Sequence, residues 1–442
     1  MSSQHLCSAC GHSAGQWFGR CPACGAWSSA ARPAATGSHD VAVAALDRAP
    51  RAEVARMSTG VAEMDAVLGG GIVPSSVALL AGEPGIGKST LVLQLLDGVV
   101  AGDHTCLLAT GEESLTQVAL RAGRLQLPLD RLKAAATTSL SAVLAASERE
   151  RPEVLVVDSI QALRDEGRDG APGSVVQVRD CASALVAHAK TAGPAVIVVG
   201  HVTKEGVVAG PKVLEHVVDA VLTLEGERTG SLRVLRATKN RFGSCEESGV
   251  LQMSGRGLTS VPDPSALLLA DRAPGVTGSI VFPKLDGSRS VLVEVQALVS
   301  GSGLAHPRRV AQGVDPRRLD LLLGVLAERA GLGLNDKDVF VAAAGGLNVR
   351  EPAADLALCL ALFSATLKVA LPGDVVALGE VGLGGEVRRV PGIGRRLSEA
   401  ASHGFGAAIV PGRAEVCAPE MRISFADNLS SALAMTKGLR AA

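Results

Sequence analysis

The sequence predicts an α/β protein: a parallel, doubly wound sheet with a small metal module before it and a second α/β region after it. Three observations predict this. Nine residues, Gly82-Glu83-Pro84-Gly85-Ile86-Gly87-Lys88-Ser89-Thr90, join an apolar strand-like run to a helical one. Strand-like and helical stretches alternate from about Arg56 to Val261, an order that sets parallel strands side by side beneath helices. Two Cys-x-x-Cys pairs fall within the first 24 residues.

Four segments follow in chain order. Residues 1–28 hold the cysteine pairs. Residues 29–55 are rich in Ala, Ser, Gly and Pro without a helical face and read as a linker. Residues 56–265 carry the alternation, with strands expected at 76–81, 105–110, 153–158, 195–200, 219–224 and 232–237, the last closing the core. Helices are expected at 88–99, 114–124 and 174–192. The two prolines of 261–267 mark a boundary. Residues 270–442 read as the second region, with strands near 278–282, 290–298, 338–343 and 406–410 and helices over 315–330, 353–369 and 394–403.

Composition narrows the function classes. The 442 residues carry 43 basic and 44 acidic side chains, which argues against binding nucleic acid by bulk charge but leaves a local basic channel open. Aromatics are 2% of the chain and Tyr is absent, so base stacking is a poor candidate for the main grip on any nucleic acid. No apolar run spans a bilayer and no signal pattern opens the chain. The other five of the nine cysteines are scattered, so the pattern fits a reduced, cytoplasmic protein with one metal site.

That site is Cys7, Cys10, Cys21 and Cys24. Each Cys-x-x-Cys turn sets two sulfurs on one side of a loop, and two turns complete a tetrahedral thiolate site for Zn²⁺. Four sulfurs leave no open position, so the zinc is structural. Redox Cys-x-x-Cys pairs instead open a helix in a larger fold. Trp17 and Trp27 flank the second pair and are expected to pack this small core. Arg20 is the only charged residue in 1–28, so a protein partner suits the module as well as DNA does.

Residues Gly82 to Thr90 match the phosphate-binding loop G-x-x-x-x-G-K-[ST] in its required strand–loop–helix setting. The glycines let backbone N–H groups approach the phosphates of ATP. Lys88 reaches the β- and γ-phosphates, Ser89 ligates Mg²⁺, and the helix N-terminus favours the anion. Asp158 ends the apolar strand Val154–Val157 about 70 residues later and is the expected partner of Mg²⁺. Glu112 and Glu113 close another strand; either can orient the attacking water as general base. His201 ends a further strand and is a candidate γ-phosphate sensor.

In this order the pieces resemble the RecA-type ATPase core. Two further segments narrow the likeness: Ser58-Thr-Gly-Val-Ala-Glu63-Met-Asp65-Ala-Val-Leu-Gly-Gly-Gly71-Ile-Val-Pro, and Lys239-Asn240-Arg241-Phe242-Gly243. With the four-cysteine module in front, the whole chain resembles the bacterial RadA (Sms) family of recombination and repair proteins. The resemblance implies a ring-forming ATPase, a hexamer, stimulated by single-stranded DNA. Such a motor drives branch migration on branched DNA alongside a strand-exchange recombinase. The family assigns the KNRFG segment to coupling hydrolysis with DNA action. In physical terms, Lys239 and Arg241 follow the last core strand, where a cation could reach a neighbouring subunit's nucleotide. In RecA-like rings, loops after the Mg²⁺ strand and after the His201 strand grip single-stranded DNA. Here those loops offer Arg168, Arg179, Lys204 and Lys212, with Lys239 and Arg241 nearby in function.

Residues from about 270 resemble the peptidase domain of the Lon protease. Ala353, in Gly345-Gly346-Leu-Asn348-Val-Arg350-Glu351-Pro352-Ala353-Ala354-Asp355, stands where that family has its serine nucleophile. Arg395 and Arg396 stand in the stretch that carries its lysine. Arginine does not deprotonate at working pH, so acyl chemistry is not expected and the region reads as a ring-assembling scaffold. Ser364 and Lys368 share a helix face and read as ordinary residues. The arginine doublets 308–309, 317–318, 388–389 and 395–396 read equally as solvated surface or as phosphate contacts. Two rivals remain: a RecA-like ATPase switch, and an ATP-dependent protein-handling enzyme not acting on DNA. The missing Ser–Lys pair weighs against the second; the zinc module and KNRFG weigh against the first.

Overall fold

In a computed structural model, described residues are 5–7, 9, 10, 12–14, 17–27, 30, 31, 55–201, 214–226, 230–303, 306–412, 414 and 421–438. The chain divides into two compact units, 1–53 and 54–442. In the first, β1 (His5–Cys7) pairs antiparallel with β2 (Ser13–Ala14) and β3 (Ala30–Ala31).

The second unit opens with α1 (Ala62–Leu68), β4 (Val77–Gly82), α2 (Lys88–Ala101), β5 (Cys106–Thr110), α3 (Leu115–Arg124), β6 (Lys133–Ala136) and α4 (Leu140–Glu150). It continues through β7 (Val154–Asp158), α5 (Val175–Ala192), β8 (Ala195–His201), β9 (Ala220–Glu225), β10 (Leu232–Asn240), β11 (Ser248–Ser254) and β12 (Gly257–Ser260). The strands form one sheet in the order β12-β11-β10-β9-β4-β8-β7-β5-β6. From β9 to β6 the strands are parallel; β10, β11 and β12 extend the sheet antiparallel.

All six residues of β4 are buried, as expected for a parallel strand covered on both faces. Leu91, Leu95 and Val99 of α2 pack with Leu80, Leu108 and Val156 on one face. Val143 of α4 and Val178 and Leu185 of α5 pack with Leu79, Leu155 and Val198 on the other. This is the doubly wound arrangement expected from the alternation.

Two expectations need correction. The strand near 232–237 does not close the core, because two antiparallel strands follow it. β6 lies where no strand was expected, and α4 follows it. β6 is a half-exposed Lys-Ala-Ala-Ala edge without an apolar run, so hydrophobic patterning could not mark it. Within the 261–267 stretch, Asp263 caps α6 (Pro264–Leu269) by accepting from the Ala266 N–H at 2.8 Å.

Beyond it come β13 (Ser279–Asp286), β14 (Arg289–Gly301), β15 (Arg309–Gln312), α7 (Pro316–Ala330), β16 (Lys337–Ala343) and α8 (Asp355–Leu367). Next are β17 (Val375–Ala377), β18 (Glu380–Val381), β19 (Val387–Arg388), α9 (Ile393–Ser402), β20 (Ala407–Pro411), β21 (Arg422–Ala426) and α10 (Leu429–Gly438). Seven strands form a mixed sheet, β15-β16-β14-β13-β17-β20-β21. The sheet buries α8, which is apolar on nearly every side. The two sheets meet through side chains. Arg236 of β10 forms a two-pronged pair with buried Asp286, both contacts 2.7 Å, and the Ser248 hydroxyl donates to the Asp286 carbonyl at 2.9 Å. Among the described residues no helix is long and apolar enough to cross a membrane.

Candidate nucleotide site and metal module

The C-terminal ends of β4, β5, β7 and β8 deliver the predicted site residues to one edge of the first sheet. Gly82 pairs with His201, and Thr110 with Asp158. The loop after β4 needs its glycines for space as well as for dihedral freedom. A Cβ at Gly82 would lie 2.6 Å from the Leu224 carbonyl oxygen, and Gly87 has φ 117° with Met253 packed directly against it. Lys88 is buried, and its ammonium donates to the Gly82 and Glu83 carbonyls at 2.9 and 3.0 Å. Burial lowers its pKa, while Asp158 and Glu112 act in the opposite sense.

Ser89 hydrogen-bonds Asp158, whose carboxyl is nonetheless pushed up from its ordinary range, chiefly by burial. The loop end of α2 thus presents a cation and a hydroxyl beside the carboxylate at the end of β7, the donor set that MgATP requires. Glu112 and Glu113 go different ways. Glu112 Oε1 accepts from the Ser159 hydroxyl and lies 3.1 Å from His201 Nε2. Glu113 is paired with Arg121 of α3, and its backbone N–H donates to Thr110 Oγ1 at 3.2 Å. Only Glu112 faces the nucleotide edge with Asp158 and His201.

Sequence reasoning missed two residues here. Gln161 donates to the His201 carbonyl at 3.3 Å. Arg233 of β10 is buried and its Nε donates to the Ile86 carbonyl at 3.0 Å. No local motif marks either residue: Gln161 lies in the 3₁₀ turn just after β7, and Arg233 arrives through sheet pairing.

The KNRFG segment lies elsewhere. Asn240 pairs with Ala220, which pairs with Ala78, so the segment sits at the far end of the sheet from Gly82 of the same chain. Lys239 Nζ donates to the Glu215 and Val218 carbonyls at 2.6 and 2.8 Å, and Arg241 pairs with Asp219 at 3.1 Å. The Asn240 amide donates to the Val67 and Leu68 carbonyls at the end of α1. Arg168 and Arg179 are both exposed and both face Asp180, at 3.8 and 3.3 Å. Lys204 and Lys212 lie outside the described residues.

In the N-terminal unit the four cysteine sulfurs lie within 4.8 Å of one another. Cys7–Cys24 and Cys10–Cys21 are each 3.7 Å apart. A tetrahedron with Zn–S bonds of about 2.3 Å has edges of about 3.8 Å, so these residues fit zinc. Trp17 and Trp27 do not pack a core as expected; they are 67% and 73% exposed. Four thiolates around one ion replace an apolar centre, which leaves the rings outside, with Arg20 over Trp27 at 5.7 Å.

The arginine doublets also need correction as uniform surface cations. Arg396 is buried, bonded to Glu351 at 2.6 Å and to the Pro283 carbonyl at 2.6 Å. Arg318 is paired with buried Asp355, and Arg309 donates to the Leu334 carbonyl. Their neighbours Arg395, Arg317 and Arg308 are exposed. Ala353 is buried in a 3₁₀ turn, and Ser364 accepts from the Gly278 N–H at 2.8 Å as an internal brace.

Comparison with known proteins agrees with both sites. The family model described as AAA domain matches residues 46–207, and that described as rubredoxin metal binding domain matches residues 5–30. The chain is 49% identical to the DNA repair protein RadA of Pseudomonas aeruginosa over 92% of each chain. It is 46% identical to that of Haemophilus influenzae over 98% of each, and 46% identical to that of Escherichia coli over 97% of each. With a nucleotide loop, a four-cysteine module and this likeness along nearly its full length, the chain belongs to the family of the DNA repair protein RadA.

Proposed function

We propose that this protein is an ATP-driven, single-stranded-DNA-stimulated ring motor that promotes branch migration of recombination intermediates in DNA repair. The carrying observation is the convergence of Lys88, Ser89, Asp158, Glu112 and His201 at one sheet edge. Residues 82–90 hold the phosphates, Ser89 and Asp158 hold Mg²⁺, and bound Mg²⁺ neutralises charge on the transferring phosphoryl group. Glu112 orients the attacking water and accepts its proton. His201, held against Glu112, senses whether the γ-phosphate is present.

Arg168 and Arg179, with Lys204 and Lys212, supply sequence-independent phosphate contacts on the DNA path. Lys239 and Arg241 act toward the neighbouring subunit of a hexamer, because their sheet end is remote from their own loop. The Lon-like region of 270–442 serves as a scaffold without peptidase chemistry: Ala353 has no nucleophile, and Arg396 is committed to Glu351. The zinc module serves as a contact for DNA or for a protein partner, and the strand-exchange recombinase is the partner the family implies for the protein as a whole.

The test is the rate of ATP hydrolysis with and without single-stranded DNA, at moderate salt with Mg²⁺. Severalfold stimulation supports the reading and leads to a three-strand junction assay. Hydrolysis indifferent to DNA overturns it in favour of a switch or of an enzyme acting on protein.

A further inference from the structure

We infer that Arg233 is a positioning residue of the nucleotide site, holding the phosphate loop in its anion-binding shape by gripping the Ile86 carbonyl. The inference rests on the nucleotide reading of residues 82–90 and names a residue 147 positions further along the chain on which that loop depends.

The geometry is specific. Arg233 is 4% exposed, although it lies near the start of an antiparallel strand. Its Nη1 donates to the Gly230 and Leu232 carbonyls at 2.7 and 2.8 Å. Those two bonds fix the planar fork, and Nε is left aimed at Ile86 O, 3.0 Å away. Ile86 stands between Gly85 and Gly87, which have φ of 78° and 117°. Neither glycine has a side chain to hold the loop, and both can adopt many other conformations.

A trans peptide unit is planar, and its C=O and N–H point in opposite directions. The Ile86 carbonyl and the Gly87 N–H belong to one such unit. With the carbonyl drawn to Arg233, the Gly87 N–H is turned away from the strand, as a row of N–H groups around an anion requires. Met253 and Leu258, from the two strands beyond, close on the Gly87 position. Gln94 of α2 receives the Leu258 N–H at 2.9 Å and donates to the Leu258 carbonyl at 2.8 Å. The antiparallel strands therefore form a floor beneath the loop, and Arg233 is their one charged donor to it among the described residues.

The experiment compares full-length Arg233→Met and Arg233→Lys with the parent, using titration of a fluorescent ADP and steady-state hydrolysis of MgATP. The loop contacts the substrate equally in ground and transition states, so its loosening raises KM and leaves kcat nearly alone. The expected result for Arg233→Met is at least a tenfold rise in both the ADP Kd and the KM for MgATP, with kcat within threefold. Arg233→Lys keeps one donor and recovers about half of that loss on a logarithmic scale, remaining at least threefold weaker than the parent. A folded Arg233→Met with parental Kd and KM overturns the inference, as does a fall in kcat alone. If Arg233→Met does not fold, Arg233→Lys decides: threefold weaker ADP binding supports the inference and parental binding overturns it. A parent that binds no ADP defeats the nucleotide reading itself, whereas a parent that binds, beside a variant that binds equally, defeats only the role of Arg233.

Discussion

His201 Nε2 and Glu112 Oε1 lie 3.1 Å apart although 89 positions separate them in the chain. The Ser159 hydroxyl donates to the same oxygen. Three strand ends thus fix one carboxylate, while the adjacent Glu113 is drawn away to Arg121 on the following helix. Two neighbouring glutamates that look equivalent in sequence face different tasks in space.

Glu112→Gln is therefore expected to lower ATP turnover about 10²- to 10⁴-fold, the range for loss of a general base, with nucleotide binding retained. Glu113→Gln is expected to keep turnover within about threefold, as suits a group outside the reacting site. Paired kcat and ADP Kd measurements check both. Equal losses in the two variants would remove the distinction.

Asp158 gives a prediction with opposite signs for stability and activity. Burial raises its pKa in the folded chain, with Glu112 acting in the same sense. A carboxyl with a raised folded pKa costs stability when ionised, above that pKa, and the cost fades as pH falls through it. Asp158→Asn should raise the unfolding midpoint of the nucleotide-free protein at pH 8, with the gain shrinking toward pH 4. It should also cut Mg²⁺-dependent turnover at least about hundredfold. Calorimetry at the two pH values, beside hydrolysis assays, reads both effects.

The zinc module should depend on its metal outright. Its described strands are two or three residues long, too short to fold without the ion. Chelation or Cys21→Ser should release one zinc per chain and raise protease sensitivity within residues 1–31. The ATPase unit, with cores of its own, should keep its unfolding midpoint. A metal reporter dye and limited proteolysis check this.

The legible parts of the sequence were those where chemistry sits on local spacing. The phosphate loop, the cysteine pairs and the buried parallel strands all announce themselves within a few residues. The unread parts depend on pairing across the sheet. Arg233 sits in an ordinary strand, and only the pairing of β10 beside β9 carries it under Ile86. β6 has no apolar run. The tryptophans are exposed because hydrophobic size alone does not dictate burial: a metal centre leaves large rings outside. The Arg395–Arg396 doublet gives no hint in its own spelling that only one member is buried.

Lys239, for which a coupling role is proposed above, braces its own chain. Its ammonium holds the Glu215 and Val218 carbonyls. Lys239→Ala should therefore retain DNA binding within about twofold, since a phosphate contact elsewhere is untouched, and lose branch migration on a three-strand junction. It should also increase amide exchange across residues 214–219. Unchanged exchange would separate the motif from this turn, and a fully active variant would end its coupling role.

The last doublet sets the sharpest contrast in stability. The Arg396 guanidinium is 1% exposed, with Glu351, the Pro391 carbonyl and the Pro283 carbonyl as acceptors and the Phe282 ring 5.6 Å away. Removing it takes the charged donor from two carbonyls and from the Glu351 carboxylate, which keeps the Leu285 N–H, a change that costs about 3 kcal/mol when one partner of a buried pair is lost. Arg395 is exposed, and its bond to the Ser288 carbonyl is long at 3.4 Å. Arg396→Met should lower the unfolding free energy of the C-terminal region by that amount, and Arg396→Lys should recover only part of it, because an ammonium cannot bridge three acceptors in one plane. Arg395→Ala should shift stability by no more than about 0.5 kcal/mol. Urea titrations of the three variants decide it. If Arg395→Ala instead weakens DNA retention at low salt while stability holds, the doublet divides into one residue for the fold and one for phosphate.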